Sequence, residues 1–264
     1  MKTAFDFPVL NFLYFFIFLI PLFILLYTLR IKKWKASLLA IVRMAIQLSF
    51  AGFYLTVLFQ YDNYILNLLY FLFMVLVSSH SISSNANLRF LKSFPLVYLA
   101  NLIPQVIMIS FMHFFVLELT KIWEARYFIP LGGMLLGNSL NASIVALRTF
   151  FQLLEKNMPL YQYKLSLGAS KNQALHDTFR ESISTAIAPI TGSMASMGLV
   201  SLPGMMTGQI LGGSSPLIAI KYQVMIVLAI FCTILYSTLF SLFLFITFAF
   251  DPYFMPRKEF FKEE

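Results

Sequence analysis

Cysteine, histidine and charged residues are scarce in this sequence of 264 residues. A single Cys and three His exclude a disulfide framework and a Cys/His zinc site, because each needs several such side chains at set spacings. Charged residues make up 11% of the chain, against about 25% in a typical soluble domain. Hydrophobic residues make up 59%. This composition predicts an integral membrane protein.

Acidic residues are absent from the centres of the long apolar stretches. None of the 11 Asp and Glu residues lies between residues 182 and 250, and the three His are scattered along the chain. Transporters that are coupled to ions or protons place carboxylates or His inside the helix bundle. Coupling to a proton gradient is therefore disfavoured, and the sequence offers no set of metal ligands.

Two catalytic motifs are also missing. The chain has no G-x-x-x-x-G-K-[ST] phosphate loop, so it cannot bind and hydrolyse ATP by that route. It has no H-E-x-x-H metalloprotease motif. We therefore expect a protein that is not an enzyme and binds no cofactor. If its transport is active, ATP and Mg²⁺ belong to a separate subunit.

Apolar stretches that are long enough to cross about 30 Å of hydrocarbon recur along the chain. They predict an all-α polytopic bundle that forms one transmembrane domain over residues 1–264, and the first stretch lacks a signal-peptide cleavage site and so predicts a retained span. The seven predicted spans are residues 9–29, 44–59, 64–77, 95–117, 128–151, 182–202 and 222–250.

The distribution of Lys and Arg predicts how the spans are oriented. With the N-terminus outside and the C-terminus in the cytoplasm, 15 of the 19 basic residues fall on the inner side, as the positive-inside rule requires. The four on the outer side are Lys2, Lys121, Arg126 and Lys221. The net charge of +8 is therefore attributed to the surface of the plasma (inner) membrane and its lipids, and not to binding of nucleic acid.

Glycine is concentrated in the second half, where ten of the 11 residues lie between Gly132 and Gly213. Small residues let helices approach closely in lipid, so this half is expected to hold the packed centre. In the fifth span, Gly133, Gly137 and Asn141 share one face, with Asn138 beside them. This polar face either packs against another helix through hydrogen bonds or lines a substrate route.

The sixth span repeats the pattern with Gly192 and Ser196, and Pro189 predicts a kink near its inner end. The segment 201–213 follows, too polar for an ordinary span and too apolar for a free loop. It predicts a short helix or re-entrant segment at the outer face. Its candidate residues for the substrate pathway or helix packing are Pro203, Gly204, Met205, Met206, Gly208, Gln209 and Gly212. The thioethers suit a soft metal, but Met also fills apolar cores.

The longest inner segment, residues 152–181, is polar and predicts two short helices around a turn at Gly168. Ser170 or Asn172 is suited to cap the second helix. The segment is either a docking surface for a cytoplasmic partner or a solvated loop.

Three blocks of residues carry a family resemblance. They are the segment 129–142, which begins Ile-Pro-Leu-Gly-Gly, the turn Leu167, Gly168, Ala169 and Ser170, and the segment 201–213. In this order, and in a chain of this length, they resemble the FetB-type permeases of ABC transporters. That family includes bacterial iron exporters and plant permeases involved in aluminium tolerance.

The resemblance implies an alternating-access permease, with two copies of this chain and two ATPase chains. ATP-driven dimerisation of the ATPases would rock the spans through residues 152–181. Gly168 matches the glycine of the E-A-A-x-x-x-G coupling pattern, although Gln162, Tyr163 and Lys164 replace E-A-A. The implied cargo is iron, another metal ion or a metal-linked solute. A channel or passive facilitator that needs no partner, or a membrane scaffold, is the alternative.

Overall fold

A computed structural model describes residue 11 and residues 13–31, 33–116 and 124–260. Within these ranges the chain is helical and contains no β-strand, which confirms the predicted all-α class. Residues 9, 10, 12 and 117, at the edges of the first and fourth predicted spans, lie outside the described residues.

The described residues form helices α1 to α9, with a π-helical turn after α4 and a short 3-10 turn near the end. The helices are α1 (Leu13–Thr28), α2 (Trp34–Tyr61), α3 (Tyr64–Asn85), α4 (Phe90–Phe111), α5 (Ala125–Lys156), α6 (Met158–Ser166), α7 (Lys171–Ser196), α8 (Gly204–Leu211) and α9 (Pro216–Phe248). The π-helical turn is Met112–Val116 and the 3-10 turn is Lys258–Phe260.

Five of the helices are long and apolar enough to cross a membrane: α2, α3, α4 with its π-helical turn, α5 and α9. The first predicted span corresponds to α1, which is shorter at 16 residues. The sixth lies in the second half of α7, whose first half is polar. The membrane class is thus confirmed, whereas the total of seven spans and their direction stay predictions. Below, the inner end means the end of the bundle predicted to face the cytoplasm.

Several predicted boundaries differ from the helices. The second predicted span is 44–59, but α2 begins earlier, at Trp34. The sixth was extended to residue 202, but α7 ends at Ser196 because Met197 is extended and Gly198 has a φ of +85°. The second of the two short helices around Gly168 is not short, because α7 continues from this turn for 26 residues.

Helix α5 lies at the centre and packs against α3, α4, α7 and α9. Its 32 residues span about 48 Å, which is longer than a helix needs to cross roughly 30 Å of hydrocarbon. Two apolar clusters surround it. The inner cluster includes Ile82, Val97, Leu147, Phe150, Leu175, Leu242 and Phe245. The outer cluster includes Phe71, Val75, Met108, Phe128, Leu135, Ile226 and Ile230.

Helices α1 and α2 lie at the periphery. No residue of α2 is buried, and Leu55, Leu58 and Phe59 of its second half pack against the outer cluster. There the Tyr54 hydroxyl contacts the Tyr70 hydroxyl of α3. The apolar surface of these two helices therefore faces lipid or another protein.

Asp62, in the turn between α2 and α3, caps the distant start of α5. Its Oδ1 accepts a hydrogen bond from the Ala125 backbone N–H at 2.9 Å and faces the Asn67 side-chain amide at 3.4 Å. The first N–H groups of a helix lack partners within the helix, and a carboxylate there also interacts favourably with the helix dipole. Asp62 thereby joins the α2–α3 turn to the central helix.

Replacing Asp62 by Gly is expected to lower the free energy of unfolding by about 1 kcal/mol, because Ala125 N–H loses its acceptor. Glycine is the appropriate substitution because Asp62 has a positive φ of 37°, which glycine adopts freely. Asp62→Asn keeps an acceptor oxygen and a side chain that tolerates this φ, so it should lose clearly less. Unfolding of the purified protein in detergent measures both variants, and equal stability of the two would contradict the cap.

Candidate functional site

The turn between α6 and α7 contains the four residues predicted to couple to an ATPase: Leu167, Gly168, Ala169 and Ser170. Gly168 has a φ of +87°, in the left-handed region that favours glycine. Ser170 caps α7, because its Oγ accepts from the Gln173 backbone N–H at 3.3 Å while Gln173 Oε1 accepts from the Ser170 N–H at 2.9 Å. Of the two residues suited to cap α7, Ser170 is the one that does so. The turn therefore has a well-defined shape.

An exposed apolar ridge runs along α6 into this turn. It consists of Leu160, Tyr163 and Leu167, which share one face of the helix and are 52%, 60% and 69% exposed. The opposite face carries Tyr161, which is buried, and Leu165, which packs against the inner cluster. Large apolar side chains grouped on the exposed face of a short helix are typical of a surface that another molecule covers.

Residues 249–260, which we call the C-terminal strap, contact the buried side of α6, opposite the ridge. The Tyr161 hydroxyl donates to the Phe254 carbonyl at 2.6 Å. Burial, and after it the charge of Asp251, raises the pKa of Tyr161 to about 12, so the phenol keeps the proton that it donates. The strap also reaches α4, since Glu259 pairs with Lys92 and the Arg89 N–H donates to the Phe260 carbonyl.

A second anchor joins the start of α7 to the end of α9. The Lys171 ammonium donates to the Ile246 carbonyl at 2.7 Å and lies 5.6 Å from the centre of the Phe250 ring. A cation is favourable at the C-terminal end of a helix, where carbonyls lack partners. Across the turn, Lys164 of α6 pairs with Asp177 of α7 at 2.8 Å and lowers the pKa of that carboxyl. The Lys171 contacts therefore connect the turn directly to the end of α9.

The predicted polar face of α5 is only partly covered. A Cβ at Gly133 would lie 3.2 Å from Met74 Cε, which shows close packing against α3. Gly137, Asn138 and Asn141 are exposed, and Asn138 Nδ2 donates to its own helix at the Met134 carbonyl. These two asparagines therefore form no hydrogen bond to another helix within the described chain.

Helix α7 leaves a similar face uncovered in its second half. Thr191 and Gly192 are exposed, and Ser196 is partly exposed. The Thr191 hydroxyl donates to the Ile187 carbonyl and the Ser196 hydroxyl to the Gly192 carbonyl, so both bond within their own helix. An exposed Asn amide in hydrocarbon is unfavourable, which indicates that water or protein covers this face of α5, whereas the hydroxyls of α7 are already satisfied within their own helix.

The segment 201–213 forms α8 and packs against the outer end of α9. Pro203 is the N-cap residue, Gly204 begins the helix, and the Gly212 N–H closes it by donating to the Gly208 carbonyl at 2.9 Å. Met206 is buried, at 8% exposure, whereas a Cβ at Gly204 or Gly208 would meet nothing within 4 Å. Close packing within the described part of the chain therefore does not explain these two glycines.

Met205 and Gln209, on α8, line a cavity of about 340 Å³ between α5, α8 and α9. We call it the outer pocket and define it by Arg126, Met134, Met205, Gln209, Tyr222 and Met225. Arg126, Tyr222 and Met225 were missed from the sequence, because each looked like an ordinary residue at a membrane surface or in a span.

A buried polar cluster, also missed from the sequence, joins α3, α4 and α5. Asn101 Nδ2 donates to Ser78 Oγ at 2.8 Å, and Gln105 Nε2 donates to Ser139 Oγ at 2.8 Å. Ser139 Oγ lies 3.3 Å from Asn101 Oδ1, which closes the cluster. The spacing of Asn101 and Gln105 by four residues within an apolar span was the available signal.

A metal centre of the usual kind is not present in the described residues. No group of three or more His, Cys, Asp or Glu side chains comes together there. His113 is buried in the π-helical turn, where its Nδ1 lies 2.9 Å from the Ile109 carbonyl. The oxygen and imidazole ligands that suit most divalent metals are therefore not assembled in this part of the chain.

Long apolar helices, a small-residue interior and buried polar clusters between helices define a class: the chain is a polytopic helical integral membrane protein. It belongs to the family described as Uncharacterised protein family (UPF0014), whose model matches residues 9–250. No solved structure matches the chain.

Three relatives illustrate the range of the family. The UPF0014 membrane protein YjkA of Bacillus subtilis is 31% identical over 78% of this chain and 83% of its own length. The probable iron export permease protein FetB of Escherichia coli is 33% identical over 80% of each chain. The protein ALUMINUM SENSITIVE 3 of Arabidopsis thaliana is 31% identical over 77% of this chain and 73% of its own length.

Ser139→Ala is expected to lower the free energy of unfolding by about 1 to 2 kcal/mol, because Gln105 Nε2 loses its buried acceptor. Ser143→Ala is the matched control. Ser143 lies one turn further along α5, is 1% exposed, and its Oγ has no hydrogen-bond partner in the described structure. Thermal unfolding in detergent should show a loss for Ser139→Ala alone. A similar loss in both variants would attribute the effect to packing.

Proposed function

We propose that the chain is the membrane-spanning permease subunit of an ABC transporter and exports iron, another metal ion or a metal-linked solute. The observation that carries this proposal is the apolar ridge, with the turn at Gly168 at its end. Water-exposed Leu and Tyr side chains at the predicted inner end need a protein to cover them, and an ATPase subunit that carries ATP and Mg²⁺ is the partner we assign.

The names of two relatives support the proposal. The Escherichia coli relative is named a probable iron export permease protein, and the Arabidopsis relative is named for sensitivity to aluminium. Both names concern metals, which favours a metal or a solute that carries one as the cargo of this chain. Because the described residues contain no cluster of metal ligands, a cargo that brings its own ligands suits the bundle better than a bare ion.

Force would pass from the ATPase to the spans through the two anchors of the turn. Closure of the ATPases would press on the ridge and displace α6. The Lys171 contact with the Ile246 carbonyl would carry this displacement to α9, and the continuous α7 would carry it toward the outer end. This sequence of contacts supplies the coupling that alternating access requires.

The uncovered faces of α5 and α7 are assigned to the substrate route. A second copy of the chain, facing the first across these surfaces in the inner membrane, would enclose Asn138 and Asn141 in a water-filled path. Polar residues in membrane helices are typical of such paths. A partner-independent channel or passive facilitator would use the same faces, so the role of the ATPase decides between the two functions.

Leu167→Asp is expected to reduce binding of the ATPase subunit at least about tenfold and to abolish ATP-dependent transport, because it places a charge at the centre of an apolar contact. Asn87→Asp is the control, since it adds the same charge at an exposed inner position away from the ridge. Co-purification of the two tagged chains and ATP-dependent efflux from proteoliposomes measure the effect.

Normal complex formation by Leu167→Asp would contradict docking on the ridge. If proteoliposomes that contain this chain alone, without ATPase and ATP, show the same solute flux as those with both chains and ATP, the chain is a channel and not an ABC permease.

Cysteine introduced at position 138 or 141 is expected to react with a membrane-impermeant thiol reagent, because the proposed path brings water to these positions. The experiment uses a Cys232→Ser background, which removes the native thiol. Leu239→Cys, on an exposed face of α9 within the apolar span, is the control that should not react. If none of the three positions reacts in intact vesicles, the face of α5 does not line the substrate route.

A further inference from the structure

The C-terminal strap is a closed loop whose backbone contacts give it a shape of its own. Its two arms are joined where the Arg257 N–H donates to the Ala249 carbonyl at 2.8 Å. Asp251 closes the tip, because its Oδ1 accepts from the Met255 N–H at 2.7 Å and its own N–H donates to the Met255 carbonyl at 2.9 Å. The path of the strap is therefore defined before it reaches the 3-10 turn.

Phe254, at the tip of the strap, has a backbone conformation that is unfavourable for a bulky residue. Its φ is +65°, in the left-handed region that glycine adopts freely. Its carbonyl is the group that accepts the hydrogen bond of the Tyr161 hydroxyl, at 2.6 Å. Strained conformations persist only where surrounding contacts enforce them, and they cluster at functional positions. The strain is located at the contact between the strap and α6.

Few polar contacts fix α6 to the rest of the bundle. A helix of nine residues is not stable by itself in water. Apart from the Tyr161 hydrogen bond, its side chains form two polar contacts with other elements in the described structure: Lys164 pairs with Asp177, and Gln162 Nε2 lies 3.9 Å from Met255 Sδ. Asp177 is 78% exposed and a thioether is a weak acceptor, so both contacts are weak. The buried Tyr161 hydrogen bond is the strongest of the three.

Apolar packing also holds α6, but it specifies no single geometry. Leu165 packs against the inner cluster, and the Tyr161 ring lies edge-on to the Phe250 ring of the strap with centroids 6.3 Å apart. Apolar burial is non-directional, whereas a hydrogen bond requires a narrow range of distance and angle. The Tyr161 hydroxyl is therefore the group that specifies how α6 lies on the strap.

The other end of the strap is attached to the start of α4. Phe260 is 6% exposed within the inner cluster, and its carbonyl accepts from the Arg89 N–H at 3.0 Å. No side chain caps the start of α4 in the described structure, so the strap satisfies one of its N–H groups instead. Glu259 adds an exposed ion pair with Lys92. A continuous set of contacts thus runs from α6 through the strap to both α4 and α9.

We propose that the C-terminal strap positions α6 for coupling, with Tyr161 as the positioning residue. Held by this hydrogen bond, α6 moves together with the inner ends of α4 and α9 when a partner presses on the ridge. Without the bond, α6 shifts on its apolar contacts and part of the motion is lost. The role in coupling rests on the proposed permease function, whereas the attachment of α6 to the strap does not.

The attachment is tested on the full-length chain alone in lipid nanodiscs. Tyr161→Phe removes the hydroxyl and keeps the ring. Hydrogen–deuterium exchange of residues 160–166 is expected to be about fivefold faster, as the loss of one hydrogen bond predicts, with no change in α5 or α9. Tyr253→Phe is the matched control, because Tyr253 lies beside Phe254 but is 82% exposed, and its exchange should equal that of the wild type.

The role in coupling is tested in proteoliposomes that contain this chain and the ATPase subunit. ATP hydrolysis and ATP-driven movement of Fe²⁺ or ferric citrate across the membrane are measured together. Tyr161→Phe should bind the ATPase as tightly as the wild type, because the ridge is intact, but move at least about twofold less iron per ATP. A role in stability alone would lower both rates in equal proportion and leave their ratio unchanged.

Unchanged exchange of α6 in Tyr161→Phe would overturn the attachment. Faster exchange together with the wild-type ratio of iron to ATP would overturn the role in coupling. If the wild-type complex binds no ATPase or moves neither iron probe with ATP, the permease function fails and the role in coupling fails with it. The exchange measurement still decides the attachment in that case, so the two failures are distinguishable.

Discussion

Close approach of helices to α5 determines how the rest of the bundle is arranged, because lipid provides no hydrophobic force that drives helices together. A Cβ at Gly132 would lie 3.1 Å from the Phe71 ring, so a larger side chain there would have to displace this buried ring of α3. Two turns along α5, Ser139 accepts the hydrogen bond of Gln105. That bond, and the contact with Asn101 beside it, need α4 and α5 at the separation that this tight packing maintains. Apolar contact and polar pairing thus support each other at the centre.

The two ends of the bundle differ in the contacts that join their helices. At the inner end, the C-terminal strap and Lys171 join α4, α6, α7 and α9, while the apolar ridge stays exposed. A surface that is both exposed and rigidly attached is suited to receive force from a partner. At the outer end, α8 lies against α9 and leaves a cavity beside α5. The exposed faces of α5 and α7 extend between these two regions.

The few charged residues in the bundle each have an identifiable structural position. Asp62 caps a helix, and two separate ion pairs, Lys164 with Asp177 and Lys92 with Glu259, lie at the inner end. Arg126 differs, because it lines a cavity without an ion pair in the described structure. In the described residues, His, Cys, Asp and Glu side chains do not come together in groups of three or more that could hold a metal ion.

Composition and local pattern by themselves determined the membrane class, the approximate positions of most helices and the turn at Gly168, because these depend on neighbours along the chain. Tertiary structure decided which polar residues are buried. Asn138 and Asn141 were the evident candidates in the sequence, yet they are exposed, while Asn101 and Gln105 form the buried cluster. It also brought Arg126 and Gln209, from helices far apart in sequence, to the wall of one cavity. Burial depends on which helix covers a given face, and that is set by packing between distant segments, which periodicity within one helix does not encode.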